Sequence, residues 1–209
     1  MWLSSERVVF WEDEKALILS DSHFGKTGHF RKSGVPVPQN IFLEDLQRLF
    51  NLLQFYKPEQ LIVVGDLFHS HANKELDLFS RWRKDFSHVS FVLVKGNHDI
   101  LPAGWYRENN IEVVECLEIH GILLMHDKEC ENEAMNKPHL KGIISGHVHP
   151  AVALKSGPRQ AVSLPCFYFN GIHCILPAFS HFTGNYVVRP QKKDAVFAIT
   201  SKEIMRLEY

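Results

Sequence analysis

The sequence predicts an α/β protein, a two-sheet sandwich of mixed parallel and antiparallel strands with helices on its outer faces. Two observations point there. The first two-thirds of the chain alternates short apolar runs with helical patterns, which calls for parallel strands joined by crossover helices. The last third holds short β-rich runs with no long helical pattern between them, which calls for hairpins.

Taken in order, Ala16-Leu17-Ile18-Leu19-Ser20 is a short apolar run ending in Asp21. The stretch Ile41 to Tyr56 places Leu46, Leu49, Phe50 and Leu53 at helical spacing, with Pro58 just beyond to end the helix. Leu61-Ile62-Val63-Val64 reads as a buried strand stopping at Gly65-Asp66. A second helix is expected from about Lys74 to Phe86, with Leu76, Phe79, Arg83 and Phe86 three or four apart. Only the apolar three of these are expected to face the core. Phe91-Val92-Leu93-Val94 follows and ends in Lys95-Gly96-Asn97-His98-Asp99. Ile122 to Met125 ends at His126, and Gly142 to Ser145 ends at Gly146-His147-Val148-His149. The later runs are Phe167 to Phe169, Cys174 to Leu176, Tyr186 to Val188 and Val196 to Thr200, with Lys192 and Lys193 in a hairpin turn between the last two.

With 209 residues and no internal repeat or linker-like tract, a single domain over 1–209 is expected. Apolar residues at 45% and charged residues at 22% are ordinary for a globular chain. The net charge of −1 gives no bulk signal for a nucleic-acid or membrane-surface partner, so any such contact must come from a local patch. The segment Gln160 to Val188 lacks charge, but Pro165, Asn170, Gly171, His173 and Pro177 divide it into strand-length pieces. It is expected to form buried hairpins, with no membrane partner. Cys116, Cys130, Cys166 and Cys174 form no CxxC pair, and Met1 to Lys15 contains no uninterrupted apolar leader core. Reduced thiols and a cytoplasmic location are the expectation.

Histidine is enriched to 13 residues, many beside Asp, Asn or Gly at strand ends. Five apolar runs end in Asp21-Ser22-His23, Gly65-Asp66-Leu67-Phe68-His69, Gly96-Asn97-His98-Asp99, His126-Asp127 and Gly146-His147-Val148-His149. In open α/β sheets ligands bind beyond the carboxyl ends of strands, so these segments are expected around one cavity. Carboxylate, amide oxygen and neutral imidazole together suit borderline divalent cations, and glycine before Asp66, Asn97 and His147 permits close backbone approach. A lone Asp or His at a strand end is more often a turn residue than a ligand. Five strand ends matching one ordered ligand series are not explained that way.

The ordered series Asp-x-His, Gly-Asp-x-x-His, Gly-Asn-His-Asp, strand-His and Gly-His-x-His resembles the calcineurin-like metallophosphoesterases over Ser20 to Pro150. Gly25-Lys26-Thr27, Phe30 to Pro38, Leu176 to Phe179 and Phe182-Thr183-Gly184 resemble, more closely, the bacterial ligase-associated metallophosphoesterases of DNA-damage response. The resemblance implies one metal held by Asp21, His23, Asp66 and His149, and a second by Asp66, Asn97, His126 and His147, with Asp66 bridging. The donor types suit a pair of manganese ions, or iron or zinc, as cofactor, and the resemblance implies in-line attack on a phosphate ester by a hydroxide shared between cations about 3.5–4 Å apart. His98 resembles the family histidine that contacts phosphate and protonates the leaving oxygen. Asp99 either orients His98 or caps the following turn, and His69 and Asp127 are candidates for supporting the ligands.

Lys26, His29, Arg31 and Lys32 follow the first ligand pair; they either receive substrate phosphates or form a solvated loop balanced by Glu44 and Asp45. Phe179, Phe182 and Tyr186 offer base stacking, though aromatics in β-rich segments are more often core. The expected function is a phosphodiesterase or nuclease acting on DNA or RNA, with a ligase or helicase as partner by resemblance. A small-molecule phosphomonoesterase or nucleotide hydrolase is the alternative, since the same chemistry serves both. A non-catalytic interaction module would be expected to have lost ligands, and none is missing.

Overall fold

The computed structural model describes residues 1–26, 41–69, 74–127, 139–157 and 160–209. A hairpin of β1 (Trp2–Ser4) and β2 (Val8–Trp11) leads into β3 (Ala16–Leu19). Helix α1 (Ile41–Tyr56), β4 (Gln60–Val64), α2 (Lys74–Asp85), β5 (Ser90–Val94), α3 (Ala103–Glu108) and β6 (Glu112–Val114) complete the first half. These strands form one sheet in the order β1-β2-β3-β4-β5-β6, antiparallel at its start and parallel from β3 onward.

The second sheet is built from β7 (Cys116–Ile119), β8 (Ile122–Met125), β9 (Gly142–Ser145), β10 (Pro150–Gly157), β11 (Gln160–Asn170), β12 (His173–Ile175) and β13 (Tyr186–Val187), with β14 (Ala195–Ile199) and β15 (Ile204–Leu207). Its path is β13-β10-β11-β12-β9-β8-β7, and β14 joins through β11. Strand β9 runs parallel to both β8 and β12, while the hairpin partners are antiparallel. The fold is thus the expected α/β sandwich of mixed sheets flanked by helices.

Period-two alternation sorts the strand side chains into two layers. Ala16, Ile18, Ile62 and Val64 meet Leu124, Ile144, Phe167 and Leu176 between the sheets. Leu17, Leu19, Leu61 and Val63 face the other way, onto Leu46, Leu49 and Leu53 of α1 and Phe79 of α2. Helix α1 buries Phe42, Leu46, Leu49 and Leu53 at helical spacing. It ends where Lys57 takes a left-handed φ of 47° and donates to the Leu53 carbonyl, immediately before Pro58.

Arg83 departs from expectation. Only its apolar neighbours on α2 were expected to face the core, yet it is only 4% exposed. Its guanidinium donates to the carbonyls of Phe86, Val89 and Asn110, which lie at the chain's exit from α2 and before β6. A planar five-donor group can satisfy several orphan carbonyls at once, and that offsets its burial. Gln160 to Val188 forms β11, β12 and β13, and among the described residues no helix is long and apolar enough to cross a membrane. Cys116, Cys166 and Cys174 are free thiols; Cys130 lies outside the described residues. Lys192 and Lys193 occupy a turn closed by Asp194 N–H on the Gln191 carbonyl, but β13 and β14 on either side of it do not pair, so it is no hairpin.

Candidate metal centre

The parallel strands β3, β4 and β5 end side by side, and the loops beyond them remain laced together. Asp21 N–H donates to the Gly65 carbonyl, His23 N–H to Asp66 and Phe24 N–H to Leu67. Left-handed backbone recurs here: φ is 54° at Asp21, 46° at His23, 53° at Asp66, 68° at His147 and 51° at His149. Each such non-glycine residue costs roughly 1–2 kcal/mol, so the surrounding hydrogen bonds must hold it. In the turns that result Asp21 and His23 meet His149 in one group, while His147 joins Asp66 and His126 in another.

Two clusters follow. Ligand-type atoms of Asp21, His23 and His149 lie within 4.8 Å of one another, and so do those of Asp66, His126 and His147. Asp66 stands between the two, with Oδ2 3.8 Å from His23 Nε2 and Oδ1 3.4 Å from His126 Nε2. The amide oxygen of Asn97 is 3.3 Å from His126 Nε2 and 3.2 Å from His147 Nδ1, which places it in the second group. Asp21, His23, Asp66 and His126 are buried, whereas Asn97 and His147 are exposed, so the centre opens to solvent on their side.

The donor chemistry fits divalent cations. His126 Nδ1 donates to the Val64 carbonyl and His149 Nδ1 to the Gly184 carbonyl, each at 3.0 Å, since a carbonyl can only accept. Those bonds fix the tautomer and leave both Nε2 lone pairs pointing inward. His149 Nε2 then lies 3.4 Å from His23 Nε2 and 3.1 Å from Asp21 Oδ1, a gathering of acceptors that a cation satisfies. In the second cluster the pair of His126 Nε2 and Asp66 Oδ1, 3.4 Å apart, favours a proton on the imidazole. Burial lowers the affinity of His126 for it, but the Asp66 hydrogen bond and the Asp21 and Asp66 charges outweigh burial and raise the imidazole to about 9. For Asp66, burial is likewise outweighed, chiefly by the hydrogen bond and charge of His126, and the carboxyl falls to about 2. Burial dominates at His23 and lowers it to about 3.

Asp99 answers the question left open by the sequence. Its Oδ2 accepts from Asp66 N–H at 2.8 Å and Gly96 N–H at 2.9 Å, and its Oδ1 from Leu67 N–H at 3.0 Å and Phe68 N–H at 3.2 Å. Burial pushes the carboxyl up to about 6, against the pull of the backbone donors. With both oxygens on backbone amides, Asp99 clips two strand-end loops together instead of orienting the His98 ring. That ring packs 4.4 Å from the ring of His69 and 5.5 Å from that of His23. Asp127 Oδ2 faces His147 Nε2 at 3.7 Å.

Lys26 lies close to the first cluster: burial lowers its ammonium from the usual range, while Asp66 and Asp21 oppose that shift. His29, Arg31 and Lys32 lie outside the described residues. Asp45 is buried and faces Arg48 at 3.4 Å, so it is not a surface counter-charge for that segment. The three aromatics separate. Phe179 is core, Phe182 is half-buried, and Tyr186, which aromatic statistics assigned to the core, is 64% exposed. Sequence reasoning missed the Val64 and Gly184 carbonyls that set the two tautomers. Backbone acceptors leave no residue-type signal, although Gly184 sits in a segment the family resemblance had singled out.

The model of the calcineurin-like phosphoesterase family matches residues 15–136, more than half of the chain. The chain belongs to that family. Among solved structures, the Pseudomonas putida nuclease MPE is 28% identical with a TM-score of 0.80, over 99% of this chain and 94% of that one. A protein of unknown function from Aquifex aeolicus is 25% identical with a TM-score of 0.46, over 64% and 78%. The phosphoesterase Yfce from E. coli is 14% identical with a TM-score of 0.48, over 92% and 98%. A comparison with curated proteins gave no match.

Proposed function

We propose that the chain, acting as one domain over 1–209, is a dinuclear phosphodiesterase that cleaves nucleic acid in the cytoplasm. Manganese is the proposed metal pair, the ligase-associated DNA-damage-response enzymes are the proposed subgroup, and a ligase or helicase is the proposed partner class. The observation that carries the reading is Asp66 standing between two ligand clusters with His98 beside them. The nuclease relative supports the substrate class, because its likeness spans nearly both chains.

When bound, the two cations would activate water near neutral pH and offset charge on the phosphate oxygens. Asp21, His23, Asp66 and His149 would hold one, and Asp66, Asn97, His126 and His147 the other. The protein's own work is orientation: Val64 and Gly184 hold two imidazoles in the ligating tautomer, and Asp99 holds the backbone of Asp66. His98, with its ring against His69, is positioned to hold a proton for the leaving oxygen. A general acid of this kind contributes about 10²–10⁴-fold.

Hydrolysis of bis-p-nitrophenyl phosphate and p-nitrophenyl phosphate with added Mn²⁺ tests this, alongside Asp66→Asn and His98→Ala. The expected result is metal-dependent cleavage that favours the diester, with both variants impaired and His98→Ala still retaining metal. Preference for the monoester would move the reading to a small-molecule phosphatase. A protein that binds no metal would sink it.

A further inference from the structure

Two cavities adjoin the open side of the centre. One, of about 460 Å³, is bounded by Asn97, His126 and Asp127 at its inner end and by Lys95, Ile100 and Glu115 at its outer end. The other, of about 640 Å³, shares Lys95, Ile100 and Glu115 and continues over the exposed edge strand β6 to Val113 and Arg107. Together they make one groove leading away from the second cluster, joined through Lys95, Asp99, Ile100 and Glu115.

Ile100 lines both cavities and is 53% exposed although it follows directly on the buried Asp99. A turn holds it there: Asp99 N–H donates to the Gly96 carbonyl and Ile100 N–H to the His98 carbonyl. Val113 adds a second exposed apolar surface further out. The walls are acidic. The inner cavity sets Lys95, its ammonium 3.7 Å from Glu115, against Glu115 and Asp127, and the outer cavity adds Arg107 against Glu112, so carboxylates outnumber cations. A run of phosphates is badly matched to such walls, because backbone binding needs surplus cations. A flat, uncharged ring with amino donors at its rim matches them, its face on Ile100 and its edge toward a carboxylate.

We propose that this groove is a nucleobase subsite for one nucleoside arm of the diester. This rests on the phosphodiesterase reading and adds to it a specificity element outside the ligand set. Covering the Ile100 side chain with a base corresponds to about tenfold in affinity.

The test is calorimetric binding of adenosine 5′-monophosphate and of ribose 5-phosphate to the Mn²⁺-loaded protein, without turnover. The Ile100 δ1-methyl NMR signal is followed in parallel. Adenosine 5′-monophosphate is expected to bind about tenfold tighter and to shift that methyl by its ring current. In Ile100→Ala the advantage disappears while ribose 5-phosphate binds unchanged; Glu115→Gln weakens the nucleotide alone. Equal affinities in the parent protein, an advantage that survives Ile100→Ala, or a methyl signal that does not move would each overturn the proposal. Loss of diester hydrolysis with base-dependent binding intact would instead count against the phosphodiesterase reading alone.

Discussion

Asp99 accepts four backbone N–H groups while 2% exposed; three of them, at Asp66, Leu67 and Phe68, belong to the turn that aims Asp66 between the clusters, and the fourth is Gly96. Its effect on the metals is therefore indirect, and substitution separates it from a catalytic group. In Asp99→Asn the carboxamide turns a donor toward amides that are themselves donors. We expect a loss of about 3 kcal/mol in urea unfolding and of about 10–100-fold in Mn²⁺ affinity by calorimetry. An unchanged metal affinity would show that the clip is only structural. The sequence raised Asp99 as a candidate but left two roles open, because the acceptor's partners are amides from a different strand end.

Strand ends explain why glycine precedes Asp66 and Asn97. A Cβ at Gly65 would fall 2.0 Å from His126 Nδ1, and φ there is +78°. A Cβ at Gly96 would fall 2.3 Å from Asp66 Oδ1. Gly65→Ala should thus displace the His126 ring from the Val64 carbonyl, costing about 2–3 kcal/mol and one of the two bound metals. Gly104 in α3 has open space around it, so Gly104→Ala should stabilise by about 0.5–1 kcal/mol. Metal content by mass spectrometry and thermal unfolding distinguish the pair. Equal effects of the two substitutions would contradict the close-approach argument. Elements with a continuous apolar run or a strong helical pattern, such as β3, β5 and α1, were readable in advance. The short edge pieces β1, β6, β7 and β15 were not, because so few residues carry little pattern and their pairing comes from neighbours distant in sequence.

For the whole molecule, the shifted groups make stability depend on pH and metal together. In the metal-free protein His126 is raised from 6.5 to about 9, so its contribution is complete below pH 6.5 and is lost as pH rises through about 9. His23 is lowered to about 3, so the unfolded chain takes up a proton first, and stability is lost as pH falls from 6.5 toward 3. Asp66, lowered to about 2, contributes above its ordinary 3.8 and adds to the acid-side loss. The chelated protein should melt highest near pH 6.5. A cation must displace the His126 proton, so Mn²⁺ affinity should instead keep rising toward pH 9. A melting temperature that climbs with pH across 6.5–9 in chelator would refute the assignment.

Residue type and order along the chain determined the candidate ligand series and the sandwich of mixed sheets, because metal chemistry restricts donor identity and apolar strand-length runs are visible in one dimension. Tertiary structure decided the rest. It buried Arg83 among three carbonyls, exposed Tyr186, turned Asp99 onto the amides of another loop, and opened a groove past Ile100. Each of these depends on which surfaces meet in space, and residues separated by many positions carry no mark of that meeting in their own identity.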